Sequence, residues 1–198
     1  MHENMWIVIS DIDETLKATS TESLFQYIRH LFNLQPISGM PDVFFLLSKV
    51  LRPKFFYLSS GPEFLKPHYR CFIDSYYPTG RLLLAPWNFA LTPRVNAKHT
   101  IFNYKVKRIS QILLQEPDTN VICIGDNSCA DLDVYMWAYQ QYPDRVKGIF
   151  IKDTGFGERR LRTVNRIKQV DNRVVRIFSN AKELQEGIHD TLKCLESG

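Results

Sequence analysis

Neither a long apolar run nor an excess of one charge occurs in this 198-residue chain. No stretch approaches the roughly 20 apolar residues that a membrane-spanning helix needs, and no basic, apolar and small-residue leader opens the chain. The expectation is a soluble protein. The four cysteines, Cys71, Cys123, Cys129 and Cys194, form no CxxC pair and no zinc-ligand spacing. Reduced thiols and a cytoplasmic setting fit that usage. The formal charge of +4 comes from dispersed basic residues, which permit attraction to phosphate-bearing partners without requiring a polyanion. There is no recognition-helix signature and no interleaving of aromatic and basic residues, so nucleic acid is not an expected partner. Repeats, low-complexity tracts and a linker are also missing. A hydrophobic share of 44% suffices for a core, and residues 1–198 read as one domain of ordinary size.

Short apolar runs alternate with helix-length amphipathic stretches, the pattern of a parallel sheet covered by helices. Strands are predicted near 6–10, 54–58, 81–84, 120–124, 146–151 and 174–178. Helices are predicted over about 20–33, 42–51, 98–115, 131–141 and 180–195, with another opening at Pro62, a residue suited to a first helical position. Residues 152–172 lose the rhythm and become rich in Arg and Lys.

Three strand ends carry complementary chemistry. Trp6-Ile-Val-Ile-Ser10 runs into Asp11 and Asp13, two carboxylates that repel unless a cation or a proton separates them. Lys54-Phe-Phe-Tyr-Leu58 ends in Ser59, Ser60 and Gly61 before a helix start, whose free N–H groups suit an anion. Asn120-Val-Ile-Cys-Ile124 ends in Gly125-Asp126, with Asp131 five residues on. A helix near Lys105 offers an ammonium, with Lys98 and Lys107 as alternatives. Taken singly, Ser59 reads as a helix cap, Asp126 as a turn residue and Lys105 as a solvated side chain. In a parallel sheet such strand ends converge on one crevice, and together they describe a phosphoryl-transfer site.

These residues resemble the motifs of the haloacid dehalogenase superfamily of phosphatases, D-x-D-x-T, Ser/Thr, Lys and G-D-x-x-x-x-D. More narrowly, the chain resembles the catalytic domain of the actin-patch-associated phosphatidate phosphatases, relatives of the lipins. That match rests on Ser10-Asp-Ile-Asp-Glu-Thr-Leu-Lys17, Pro36-Ile-Ser-Gly-Met-Pro41, Phe56-Tyr-Leu-Ser-Ser60, Tyr77-Pro-Thr-Gly-Arg-Leu-Leu-Leu84, Ile124-Gly-Asp126 through Asp131 and Tyr135, and Tyr142-Pro-Asp-Arg-Val-Lys-Gly-Ile-Phe-Ile151. It is strongest over 5–154. Two departures stand out: Glu14 where relatives usually have Asp, and Asn127-Ser128-Cys129 where they usually have S-G-Q.

The resemblance implies an α/β, Rossmann-like three-layer parallel sheet with a minimal cap, the whole chain forming one phosphatase catalytic domain. It implies that Asp11 is the nucleophile, that Asp13 is the general acid and base, and that Thr15 steadies the loop or orients Asp13. Mg²⁺ would be held by Asp11, the backbone carbonyl of Asp13 and Asp126. An all-oxygen set of this kind favours Mg²⁺ over zinc. Ser59 and Lys105 would take the phosphoryl oxygens, beside Ser60 and Gly61, while Asp131 orients Lys105 or a metal-bound water. Lys105 is preferred because it precedes Ile109 by the spacing the family shows, with Lys98 and Lys107 still open.

The implied activity is Mg²⁺-dependent hydrolysis of phosphatidate to diacylglycerol and phosphate through an aspartyl-phosphate. The alternatives are a phosphatase of a soluble phosphomonoester or phosphoprotein, and a catalytically silent phosphatidate-binding module. The latter usually lacks the first Asp, which is present here. Trp87, Phe89 and Leu82 to Leu84 are candidates for an apolar surface beside the site. The basic stretch from Lys152 to Arg176, with Arg159, Arg160, Arg162 and Arg166, is a candidate for peripheral contact with an anionic membrane, where each cation near the surface gains about 1 kcal/mol.

Overall fold

The structure, a computed structural model, describes residues 5–17, 35–86, 97–128, 130–155, 163, 165, 167 and 173–196. Its strands are β1 (Met5–Ser10), β2 (Lys54–Pro62), β3 (Gly80–Ala85), β4 (Thr119–Asp126), β5 (Val146–Lys152) and β6 (Val175–Phe178). Its helices are α1 (Met40–Val50), α2 (Lys66–Tyr76), α3 (Ala97–Gln115), α4 (Asp131–Gln141) and α5 (Ala181–Glu196). The strands form one sheet in the order β3-β2-β1-β4-β5-β6, and every pairing is parallel. The helix predicted over 20–33, Trp87, Phe89, Cys129 and the arginines at 159, 160, 162 and 166 lie outside the described residues.

Alternating side chains of each buried strand feed two cores. Ile7 and Ile9 of β1, Phe56 and Leu58 of β2, and Val121 and Cys123 of β4 pack with Ile109, Ile112 and Leu113 of α3 and Val134, Tyr135 and Ala138 of α4. The intervening Val8, Phe55, Tyr57, Ile122 and Ile124 pack with α1, α2 and α5 through Phe44, Leu47, Phe72, Ile73, Leu184 and Ile188. This is a three-layer α/β sandwich. Strands buried on both faces need the continuous β-branched and aromatic runs seen in the sequence. Leu82 and Leu84 are in the second core, so they belong to packing rather than to an exposed apolar surface.

One element differs from expectation. No helix starts at Pro62: β2 continues through Pro62, a short 3-10 turn follows at Glu63–Leu65, and α2 begins only at Lys66. Pro62 has φ −70° and ψ 145°, so its fixed φ serves an extended residue as readily as a first helical one. Pro67 is the proline in the first turn of α2.

The strand order places the reversal of chain direction at β1 and β4, since β1 to β3 build outward on one side and β4 to β6 on the other. The crevice beyond the carboxyl ends of two such strands is the ordinary ligand site of an open α/β sheet. Below it, an aromatic cluster holds α1 on the sheet. Phe44 lies with its ring centroid 5.9 Å from Phe55, 6.4 Å from Tyr57 and 5.3 Å from Tyr77. Phe44→Ala is expected to cost about 3–5 kcal/mol in urea unfolding. A loss below about 1 kcal/mol would show that α1 repacks without this anchor.

Candidate active site

The β1–β4 ladder extends one residue past β1, because the Asp11 N–H donates to the Ile124 carbonyl at 2.9 Å. The chain then turns tightly. The N–H groups of Leu16 and Lys17 both donate to the Ile12 carbonyl, and Glu14 takes a left-handed φ of 61°. Asp11 and Thr15 are buried and Asp13 is half-buried. The loop is tied down from outside: Tyr77 Oη donates to the Leu16 carbonyl at 2.9 Å and Lys152 Nζ to the Glu14 carbonyl at 3.0 Å.

Asp126 ends β4 and Asp131 begins α4, where a carboxylate suits the positive end of the helix dipole. Asp131 Oδ2 accepts from the Asp126 N–H at 3.2 Å, and Asp126 Oδ1 accepts from the Ser128 N–H at 2.5 Å. Gly125 allows this approach, since a Cβ there would lie 2.6 Å from Asp131 Oδ2. Thr15 Oγ1 donates to Asp126 Oδ2 at 3.3 Å, linking the two strand ends. Asn127 fastens the same loop to the exit of β5. Its Nδ2 donates to Asp153 Oδ1 at 2.9 Å, and its Oδ1 accepts from the N–H and hydroxyl of Thr154.

Lys105 reaches in from α3. Its Nζ donates to Asp11 Oδ1 and to Asp131 Oδ1, each at 2.5 Å, and the side chain is 3% exposed. Lys98 is exposed and pairs with Asp133 at 3.2 Å, and Lys107 is exposed. Of the three candidate lysines, Lys105 is the one in the crevice.

Asp13 faces β2 and α2. Its Oδ2 accepts from Ser59 Oγ at 2.7 Å and from Tyr69 Oη at 2.8 Å. Ser59 Oγ in turn accepts the Gly61 N–H at 2.9 Å, so this N–H is used inside the loop and does not stand at a helix start. Ser60 is half-buried beside it. Lys17 Nζ sits 5.7 Å from the centre of the Tyr69 ring.

Burial and charge crowding act on the whole cluster. Burial first, and then Asp131, hold the Asp11 pKa well above the ordinary carboxylate range, with Lys105 opposing them. Asp126 is pushed up to about 6 by burial and by Asp131, against the Ser128 hydrogen bonds. Burial disfavours the Lys105 charge, but Asp11 and Asp131 outweigh it and raise its pKa above the usual value. Asp11, Asp126 and Asp131 each bring a carboxylate oxygen within 4.8 Å of the others. The one lysine ammonium contacts Asp11 and Asp131 and leaves Asp126 without a cation, an imbalance that a divalent cation would offset. The donors are all oxygen, the set suited to a hard cation such as Mg²⁺.

Thus Asp11, Lys105, Asp126 and Asp131 form one cluster, joined through Thr15, while Asp13 and Ser59 form a second pair beside it. Sequence reasoning missed Tyr69, which reads as one more core aromatic in α2. It also gave Lys17 no role. Lys152, assigned to a membrane-facing basic stretch, is turned inward to the Glu14 carbonyl. Arg176 of that stretch pairs with Asp190 at 2.8 Å.

A doubly wound parallel sheet with an acidic crevice at its switch point defines an α/β protein whose three buried carboxylates could hold a metal ion. The chain belongs to the family described as the catalytic domain of phosphatidate phosphatase APP1, which matches residues 6–153. It is 27% identical over 186 residues to the Saccharomyces cerevisiae protein called phosphatidate phosphatase APP1, an alignment covering 90% of this chain and 30% of that relative. The chain therefore spans less than a third of the length of the curated relative it matches. No solved structure matches the chain.

Removing the buried ammonium leaves Asp11 and Asp131 without their shared partner. In EDTA, Lys105→Met is expected to lose about 3–5 kcal/mol of unfolding free energy, the cost of breaking a buried pair. Lys98→Met should lose less than about 1 kcal/mol, as an exposed pair does. Equal losses would mean that Lys105 does not hold the cluster together.

Proposed function

We propose that this chain is the catalytic unit of a Mg²⁺-dependent phosphatase of the haloacid dehalogenase type, and that its substrate is phosphatidate, cleaved to diacylglycerol and phosphate. The observation that carries this reading is Asp11, buried at the end of the central strand against Lys105 and within reach of Asp126. Family membership supports the phosphatidate substrate.

Asp11 is the nucleophile. Its carboxylate oxygen bonds to phosphorus as the bond from phosphorus to the glycerol oxygen breaks, and the departing oxygen takes its proton from Asp13. The aspartyl-phosphate is then attacked by water. Asp13 accepts the water's proton, the phosphorus–Asp11 bond breaks, and phosphate leaves with Asp11 restored. Splitting the hydrolysis in this way replaces one difficult displacement by two easier ones, and Asp13 serves as acid and then as base.

Asp11, the Asp13 carbonyl and Asp126 would hold Mg²⁺, which would supply positive charge for the phosphoryl oxygens. Lys105 adds a second positive charge and opposes the burial that disfavours ionised Asp11. Ser59, Ser60 and Gly61 line the side from which the phosphoryl group is bound, Asp131 fixes the Lys105 ammonium, and Thr15 ties the nucleophile loop to Asp126. No described helix is long and apolar enough to cross a membrane.

Asp11→Asn is expected to abolish Mg²⁺-dependent phosphate release from phosphatidate in mixed micelles while its thermal unfolding stays close to wild type. Turnover near the wild-type rate would sink the covalent scheme. Release from soluble phosphomonoesters alone would keep the chemistry and replace the substrate. Lipid binding without release on any substrate would make the chain a binding module. Calorimetric titration with Mg²⁺ gives an independent check. Asp126→Asn should weaken binding at least about tenfold, since even groups behind the ligands matter on that scale. An unchanged affinity would remove Asp126 from the metal site.

A further inference from the structure

Tyr69 belongs to none of the sequence motifs, yet its hydroxyl donates to the carboxylate of Asp13. It is 1% exposed and sits one turn into α2. Two hydroxyls meet the same carboxylate oxygen: Ser59 Oγ at 2.7 Å and Tyr69 Oη at 2.8 Å, both on Oδ2. An ionised carboxylate oxygen offers about two lone-pair sites, so Oδ2 is filled by these two donors. Oδ1 is engaged by neither.

The surroundings are built to keep both donors in place. Ser59 has a single hydroxyl proton, and by accepting the Gly61 N–H at 2.9 Å its oxygen turns that proton toward Asp13. Gly61 also makes room for the tyrosine. A Cβ at position 61 would lie 2.5 Å from Tyr69 Oη and 2.9 Å from its Cζ, so any larger residue would displace the hydroxyl. On the ring face, Lys17 Nζ stands 5.7 Å from the centroid, and a cation there favours the phenol as a donor.

We propose that Tyr69 is a positioning residue which, with Ser59, locks Asp13 Oδ2 and so makes Oδ1 the oxygen that passes a proton to the leaving group. This rests on the reading of Asp13 as the general acid. In the first displacement the electron pair of the broken phosphorus–oxygen bond goes to the leaving oxygen, which collects the proton from Oδ1. A carboxyl free to rotate would present the wrong oxygen for part of the time. The penalty is greatest when the leaving group is a poor one, since only an alkoxide depends on being protonated as it departs.

The test is kcat/KM, which reports the first displacement, measured on a series running from 4-nitrophenyl phosphate to an alkyl phosphate and a short-chain phosphatidate. Wild type, Tyr69→Phe, Gly61→Ala and Asp13→Asn are compared, with thermal melts to establish folding. Tyr69→Phe is expected to lose at least about tenfold more on the alkyl ester than on the nitrophenyl ester, a fraction of the general-acid contribution. Gly61→Ala, which displaces the same hydroxyl by a different route, should steepen the series in the same direction and carries the test if Tyr69→Phe does not fold. Equal loss across the series in both variants, with Asp13→Asn steep, would overturn the positioning role and leave Asp13 as the acid. A flat series for Asp13→Asn would overturn the acid assignment itself, and this proposal with it.

Discussion

Three carboxylates held within 4.8 Å of one another in a buried crevice repel strongly and lose their hydration, and the Lys105 ammonium is what lets them stay together. It contacts Asp11 from β1 and Asp131 from α4 at once, so one side chain of α3 joins three elements. Paired in this way a buried ion is tolerated, whereas an unpaired one is strongly destabilising. The arrangement also leaves a negative surplus. Burial first, and then that surplus, hold Asp11 and Asp126 above the ordinary carboxylate range, and a divalent cation is the natural completion of the site.

The sheet order makes this meeting possible. Asp11 and Asp126 come from neighbouring strands that lie 115 residues apart in sequence only because the chain first builds β2 and β3 on one flank and then returns to the other. Gly125 then brings the backbone close enough for Asp131 to accept the Asp126 N–H. On the opposite side, Gly61 plays the same part for Tyr69 and Asp13. Each glycine stands where a side chain would occupy the space of a polar contact, so both are requirements of the site more than of the strand.

How much of this was legible in the sequence depended on whether a residue's role is local. Asp11, Asp13, Ser59 and Asp126 follow apolar runs, and a strand end announces itself through that change of pattern. Lys105 could not be separated from Lys98 and Lys107 by composition, because only its place on the buried side of α3 distinguishes it. Tyr69 was invisible for a related reason: an aromatic at helical spacing reads as core, and its ring is indeed in the core, while the hydroxyl reaches 56 residues back to Asp13. Pro62 was misread because a fixed φ is compatible with both a helix start and an extended strand, and the choice was made by pairing with β3, where Pro62 lies opposite Ala85. Lys152 was grouped with its basic neighbours, although it is the last residue of a buried strand and its ammonium turns back to the Glu14 carbonyl.

That last contact bears on the turn that follows the two acids of the motif. Glu14 has a left-handed φ of 61°, a conformation in which Asp and Asn are enriched and longer side chains are less at ease. Asp in its place would hold the turn with a residue better suited to it, and since the two side chains carry the same charge the difference is one of backbone preference. What compensates is tethering. The Glu14 carbonyl accepts from Lys152, its N–H donates to the Lys17 carbonyl, Thr15 donates to Asp126, and the Leu16 carbonyl accepts from Tyr77. Anchors from β5, β4 and the end of α2 thus fix three consecutive residues directly after Asp13. Chemistry that needs two acids in a fixed relation requires this kind of support, and it explains why a strained turn persists at this point of the chain.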